Sequence, residues 1–218
     1  MKYTHVLWDF NGTILDDVQT GIDSVNVMLA KRGLPTLKDV ADYRAHFRFP
    51  ITAYYESLGF DFEKEPFALL APEWVALYLE FVKKASLREG VINALDDFKN
   101  AGLKQVIVSA TEYNMLTCQL CDLGIRDKFD DYIGLDNIHA ASKTELAKEW
   151  YAANKPEKAV FIGDTTHDFE VASALGCDCI LVAGGHQTPE VLDKCGTCVV
   201  HSIIEAKNTV MRHINAAD

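Results

Sequence analysis

Trp8-Asp9-Phe10-Asn11-Gly12-Thr13-Ile14-Leu15-Asp16 is the stretch on which the reading of this chain turns. The apolar run Val6-Leu7-Trp8 leads straight into a carboxylate, followed by a turn-forming Asn-Gly pair and a hydroxyl. A short apolar run that opens into Asp, Asn and Gly reads as a buried strand ending in a loop. In open α/β sheets, ligands bind just beyond the carboxyl ends of the strands, so Asp9 would stand where chemistry is placed. The same residues also fit a strand followed by a hairpin turn, because Asn-Gly is a strong hairpin signal. The rest of the chain decides between the two.

Downstream of Asp16 the pattern turns helical. Val18, Ile22, Val25 and Leu29 recur at helical spacing and end near Gly33 and Pro35. No convincing strand is legible from Leu37 to Arg88. Aromatic-rich pieces broken by Pro50 and Gly59 precede a longer helical stretch that carries Trp74, Leu77, Tyr78, Phe81 and Val82. Residues 17–88 therefore read as an all-helical insertion. The texture then changes. Val106-Ile107-Val108 ends in Ser109, Tyr132-Ile133-Gly134 is a weaker strand, and Ala159 to Ile162 ends in Gly163-Asp164. Cys179 to Val182 is followed by Gly184-Gly185-His186, and Val199-Val200 closes the series. Helical segments separate these runs. Strands alternating with helices mean parallel βαβ units, covered on both faces.

Composition narrows the field. The 218 residues suit one domain, or one domain with an insertion, and 49% hydrophobic residues supply a sizeable core. The formal net charge of −11 disfavours nucleic acid and anionic membranes as partners, without preventing a local cationic or metal-bearing pocket from binding a small anion. No apolar run approaches the roughly 18 residues of a membrane span. The apolar run after Lys2 is too short for a signal peptide, so a cytoplasmic, reducing location is the expectation. Cys118 and Cys121 fall in a helical segment, and Cys177 and Cys179 alternate along a strand. The six cysteines are therefore expected to be reduced, small apolar residues rather than a zinc or redox centre.

Polar residues collect at the strand ends: Asp9, Ser109, Asp164 with Asp168, and the glycine turn with His186. In a parallel sheet these ends share one edge, and Lys143 opens a helix between two of them. Carboxylates at the ends of adjacent strands repel unless a cation joins them, and Asp with backbone carbonyl ligands suits Mg²⁺. A metal, a lysine and a hydroxyl around one carboxylate describe a site for a phosphoryl group, whose oxygens need fixed cations and donors. Asp9 could then attack phosphorus and carry the phosphoryl group covalently.

These motifs resemble the haloacid dehalogenase superfamily, in particular its phosphoglycolate phosphatase and β-phosphoglucomutase branch. Asp9-Phe10-Asn11-Gly12-Thr13 matches the D-x-D-G-T motif at all but one position. Ser109 matches the second motif, Lys143 the third, and Gly163-Asp164-Thr165-Thr166-His167-Asp168 the G-D-x-x-x-D fourth. The resemblance implies an α/β, Rossmann-like three-layer core with a mostly parallel sheet, formed by residues 1–16 and 89–218, and a helical cap formed by 17–88. It implies a Mg²⁺-dependent phosphatase of small phosphorylated metabolites. Asp9 would be the nucleophile. Asp9, the Asn11 carbonyl and Asp164 would bind the magnesium ion, with Asp168 completing the acidic set and orienting Lys143 or metal-bound water. Gly12, Thr13, Ser109, Ala110 and Lys143 would surround the phosphoryl group, while Arg48 (or Arg44) of the cap and His186 would meet the substrate. Lys143-Thr144 replaces the family's common Lys-Pro.

Asn11 is the departure. In phosphatase members this position is an Asp that protonates the leaving group and then activates water. An amide donates a hydrogen bond but transfers no proton, and loss of a general acid/base costs about 10²- to 10⁴-fold. Three accounts follow: an activated substrate, a stand-in among His46, His167 and His186, or a catalytically weak protein that binds a phosphorylated ligand or a protein partner. Asn11→Asp alone is expected to raise turnover of alkyl phosphate esters at least about tenfold if nothing replaces the missing acid/base. No oligomeric state is readable.

Overall fold

The computed structural model describes residues 2–135 and 142–216. Among the described residues six strands form one parallel sheet: β1 (His5–Trp8), β4 (Lys104–Glu112), β5 (Asp131–Leu135), β6 (Ala159–Gly163), β7 (Asp178–Val182) and β8 (Cys198–Val200). Their order is β5-β4-β1-β6-β7-β8. Two further strands, β2 (Leu15–Asp16) and β3 (Ser86–Leu87), pair antiparallel. β1 lies at the centre, with β4 on one side and β6 on the other, both parallel to it. The chain runs outward from β1 through β4 to β5, then crosses to build β6, β7 and β8. The carboxyl end of β1 is thus the topological switch point, where α/β sheets bind ligands.

The hairpin reading of Asn11-Gly12 gives way to the loop. Both neighbours of β1 are parallel, and the chain after it folds on itself: the Ile14 and Leu15 amides donate to the Phe10 carbonyl, each at 2.9 Å. The strand runs are near-continuously apolar because both faces of the sheet are covered. On one face Trp8, Ile107, Ile162 and Val182 pack against α5 (Val91–Asn100), α6 (Tyr113–Asp122) and α10 (Ile203–Asn215). On the other, Leu7, Val108, Phe161 and Leu181 pack against α7 (Lys143–Asn154) and α8 (Thr166–Leu175). A short helix, α9 (Pro189–Leu192), lies beyond β7. The result is a three-layer, Rossmann-like core.

The inserted helices are α1 (Val18–Lys31), α2 (Val40–His46), α3 (Ile51–Ser57) and α4 (Phe67–Phe81). They bury a hydrophobic cluster of their own, with Ile22, Val25, Met28, Leu29, Tyr54, Tyr55 and Leu70 inside. Full burial contributes about 1.5–3 kcal/mol per large apolar side chain, so this cluster can hold the helices together as a unit. The insertion is not wholly helical, contrary to its sequence pattern. The region up to Arg88 does contain a strand: Ser86–Leu87 pairs with Leu15–Asp16, forming a two-stranded stem where the helical cap leaves and rejoins the core. Two residues are too few for any periodicity to register. The strand expected to stop at Ser109 also continues, past a shift in register, to Glu112.

The six cysteines form no disulfide. Among the described residues no helix is long and apolar enough to cross a membrane.

Candidate active site

Asp9 follows β1 directly, and its amide donates to the Ile162 carbonyl of β6 at 2.9 Å, which seats it between two parallel strands. Asp164 follows β6, and Asp168 lies in the first turn of α8. These three buried carboxylates each offer an oxygen, all within 4.8 Å of one another. Lys143 reaches in from the start of α7, where a cation is unfavourable for the helix dipole, and is almost fully buried. Its ammonium donates to Asp9 Oδ1 and, at 2.6 Å, to Asp168 Oδ1. It also stands 5.3 Å from the centre of the Phe161 ring.

Electrostatics follow from that arrangement. Burial pushes the Asp9 carboxyl well above the usual range, Asp168 and Asp164 push it further, and Lys143 only partly offsets them. Burial likewise raises Asp164, which keeps His186 as its cationic neighbour. Asp168 goes the other way: burial opposes ionisation, but Lys143 and Thr165 outweigh it. Lys143 stays charged because Asp168 and Asp9 overcome its own burial. The donor set suits a hard divalent cation, with three carboxylates facing one ammonium. Two glycines leave room beside it. A Cβ at Gly12 would come 2.4 Å from Asp164 Oδ2, and one at Gly185 would come 2.1 Å from the same atom. Gly12 also has φ +75°, a conformation that side chains rarely adopt.

Around this centre the expected residues separate. Thr13 is fully buried and its hydroxyl donates to Asp164 Oδ1 at 3.0 Å. Asp168 Oδ2 accepts the Asp164 amide, the Thr165 amide and the Thr165 hydroxyl, so this carboxylate is committed to the loop and to Lys143. Ser109 is buried at the irregular part of β4, and its oxygen accepts the Thr111 amide; Ala110 beside it is exposed. Arg48 does not reach the site. It lies two residues past α2, is exposed, and donates to the His46 and Ala45 carbonyls at the end of that helix. Arg44 is the arginine that crosses to the core, donating to the Gly185 carbonyl at 2.8 Å and to the Gly184 carbonyl at 2.6 Å.

His186 is the one histidine of the three candidates brought to the centre. Its amide donates to Asp164 Oδ2 at 2.6 Å, its ring stacks on Phe47, and its Nδ1 lies 2.8 Å from the Tyr43 hydroxyl. Burial disfavours its charge, but Asp17, Asp164 and Asp9 outweigh that and lift its pKa to about 9. His46 instead contacts Ser57 and Asp42, and His167 contacts Glu170 and Phe49.

Asn11 is held on every side. Its Nδ2 donates to Asp17 Oδ2 at 2.8 Å and to the Tyr78 hydroxyl at 2.7 Å, and its Oδ1 accepts the Thr111 hydroxyl at 2.8 Å. Sequence reasoning missed Asp17, Tyr78, Thr111 and Arg88. Arg88 is half-buried and bridges the Gly12 and Ala183 carbonyls at 2.8 and 2.9 Å. Only Asp17 left a trace in sequence, as the second acid of Asp16-Asp17 just past the first motif.

Comparison with known proteins agrees with this geometry. The family model described as haloacid dehalogenase-like hydrolase matches residues 6–182. A phosphoglycolate phosphatase of Caulobacter vibrioides is 26% identical over 209 residues, covering 92% of this chain and 87% of its own. A haloacid dehalogenase-like family hydrolase of Streptococcus pneumoniae superposes with a TM-score of 0.75 at 19% identity, covering 94% of this chain and 96% of its own. Protein tyrosine kinase A of Mycobacterium tuberculosis does so with 0.80 at 20% identity, covering 96% and 98%. At these identities the two structures speak for the fold alone.

Proposed function

The chain belongs to the haloacid dehalogenase-like hydrolase family, and on that premise we propose that it is a phosphatase of small phosphorylated metabolites that works through an aspartyl-phosphate on Asp9. The observation that carries this reading is the buried group of Asp9, Asp164 and Asp168 around Lys143 at the switch point of the sheet. An Asp9 oxygen attacks phosphorus, the bond to the leaving oxygen breaks, and the phosphoryl group stays on Asp9 until water displaces it. Lys143 neutralises charge on Asp9 and on the phosphoryl oxygens. Asp9, Asp164 and the Asn11 backbone carbonyl would hold Mg²⁺, which supplies Lewis-acid stabilisation of phosphoryl charge. Asp168 orients Lys143, and Thr13 orients Asp164. The inserted helices exclude water and meet the leaving group. The phosphoglycolate phosphatase relatives put phosphorylated small acids first among substrates to try. A cytoplasmic setting belongs to the same proposal, with the unpaired cysteines in support.

A second reading has its own observation. The Asn11 amide donates to Asp17 and to Tyr78 and has no proton to transfer, which favours a weak hydrolase that chiefly binds a phosphorylated ligand. A panel of phosphate esters, acyl phosphates and nucleotides separates the two. The phosphatase reading requires turnover that depends on Mg²⁺ and disappears in Asp9→Ala. Calorimetric binding without turnover supports the second reading, and equal rates in chelator sink the first.

A further inference from the structure

We propose that Asn11 and Asp17 form an exchanged pair, amide at 11 and carboxylate at 17, in which Asp17 is the positioning residue that sets the Asn11-Gly12 segment beside Asp9 and Tyr78 makes that setting depend on the cap. The proposal rests on the phosphatase reading above.

Asp17 occupies the N-cap position of α1, where an Asp ordinarily accepts a backbone amide of the first turn. It caps nothing there. Its side chain turns back to the loop after β1 instead. Oδ1 accepts the Gly12 amide at 2.7 Å and lies 3.5 Å from His186 Nε2. Oδ2 accepts the Asn11 amide at 2.8 Å and the Tyr78 hydroxyl at 2.7 Å. Only 2% of Asp17 is exposed, and a buried carboxylate is tolerated when donors of this kind surround it.

The same network fixes which way Asn11 points. Turning its amide over would set Oδ1 against the Asp17 carboxylate, so the nitrogen must face Asp17. An ionised Asp at 11 would bring two carboxylates together across the present 2.8 Å contact. Position 11 has therefore not merely lost an acid. Its surroundings are built for an amide donor, and the matching carboxylate is six residues further on.

The arrangement is invertible because a tyrosine hydroxyl both donates and accepts. Tyr78 now accepts from Asn11 and donates to Asp17. With Asp at 11 and Asn at 17, the amide at 17 would donate to Tyr78 and to the new carboxylate, and Tyr78 would donate to position 11. Thr111 would still donate to position 11, and the Gly12 amide to position 17. Tyr78 belongs to α4 of the inserted helices, so its two bonds, to Asn11 and Asp17, exist only while the cap covers the loop.

The test compares the parent with Asn11→Asp, Asp17→Asn, the double exchange and Tyr78→Phe. Thermal unfolding and Mg²⁺-dependent turnover of para-nitrophenyl phosphate are measured on each. Each single exchange lowers both melting temperature and kcat. The double exchange recovers most of the melting temperature and brings kcat to at least the parental value, a coupling of at least about fivefold, as residues sharing one hydrogen-bond network show. Tyr78→Phe keeps the ring, lowers kcat at least about fivefold and leaves KM within about twofold, because it disturbs setting rather than capture. Single effects that simply add in the double variant overturn the pairing. Recovery of stability without recovery of kcat overturns the positioning role. A parent with no turnover of any ester refutes the phosphatase reading instead, and the melting temperatures alone then decide the pairing.

Discussion

The Tyr43 hydroxyl lies 2.8 Å from Nδ1 of His186, and the His186 amide in turn holds Asp164. One short path thus runs from the second helix of the cap to a carboxylate of the buried acidic group. Arg44, the next residue, grips the Gly184 and Gly185 carbonyls of the same turn. The turn after β7 is therefore where the second helix of the cap meets the core beside the acidic group.

Arg44→Ala should loosen that closure. Hydrogen bonds from a charged donor contribute about 1.5–3 kcal/mol, so losing two of them shifts the closed–open balance by at least about tenfold. Hydrogen exchange at the amides of Gly185, His186 and Gln187 should accelerate accordingly, while amides of β1 and β6 stay protected. Unchanged exchange at the turn would show that Arg44 does not hold the cap.

Lys143→Met should destabilise the core. Removing one partner of a buried ion pair costs about 3–5 kcal/mol, because Asp9 and Asp168 are left facing each other. Mg²⁺ should return part of that loss if the acidic group binds it, so the stabilisation conferred by Mg²⁺ over chelator should be larger in Lys143→Met than in the parent. Turnover should fall at least about 10²-fold, the scale of losing a fixed stabilising charge. Melting curves in Mg²⁺ and in chelator decide the first point.

Gly185→Ala probes the same centre from the other side. Its Cβ would come 2.1 Å from Asp164 Oδ2, closer than atoms can approach, so Asp164 must move. Stabilisation by Mg²⁺ should be largely lost while the sheet remains folded. Undiminished Mg²⁺ binding would mean that Asp164 is not a ligand.

Most of this architecture was legible in sequence because each cue was local. Val106-Ile107-Val108 is a β-branched run, and Asp9, Asp164 and Lys143 each stand at a strand or helix end that neighbouring residues announce. What escaped is what depends on distant parts of the chain meeting. Tyr78 reads as one more aromatic on a helix, yet the fold delivers its hydroxyl to Asn11, 67 residues away. Thr111 sits within a shift in register, between Val108 and Glu112, that no pattern signals. Arg48 and Arg44 are indistinguishable by type and context, and only the orientation of α2 selects Arg44. The expectation that Asn11→Asp alone raises turnover if nothing replaces the acid/base rests on position 11 by itself, and the Asp17 carboxylate 2.8 Å from the Asn11 nitrogen is the neighbour it leaves out.

Acid should weaken one tie at the opposite end of the sheet. Asp178 accepts the Tyr3 hydroxyl at 2.7 Å and faces Lys158 at 3.1 Å. Partial burial opposes its ionisation, but Tyr3 and Lys158 outweigh that and hold the carboxyl below its usual value. A depressed folded pKa adds stability above the unfolded pKa of about 3.9 and loses it as pH falls through the folded value. The melting-temperature gap between parent and Asp178→Asn should therefore be constant at neutral pH and close below about pH 4. A gap that persists at pH 2 would assign the effect to something other than this charge.

The two steps on Asp9 differ in their need for a proton. Formation of the aspartyl-phosphate needs a proton only if the leaving oxygen is a poor leaving group. An acyl phosphate or dinitrophenyl phosphate departs without one, so Asn11 should hardly slow the first step with these substrates. The second step differs: water must be deprotonated as it attacks, and the Asn11 nitrogen, already donating to Asp17 and Tyr78, cannot accept that proton. Loss of a base there slows hydrolysis by about 10²- to 10⁴-fold. Phosphoenzyme should consequently accumulate, and rapid mixing with dinitrophenyl phosphate in Mg²⁺ should release a burst of dinitrophenol approaching one equivalent per chain before a slow steady state. Asp9→Asn should abolish the burst. The double exchange at 11 and 17 should shrink it by restoring a carboxylate at 11 that speeds the second step. A linear time course from the first turnover, at full parental rate, would mean that another group activates water, and His186, the histidine already at the centre, would be the residue to change next.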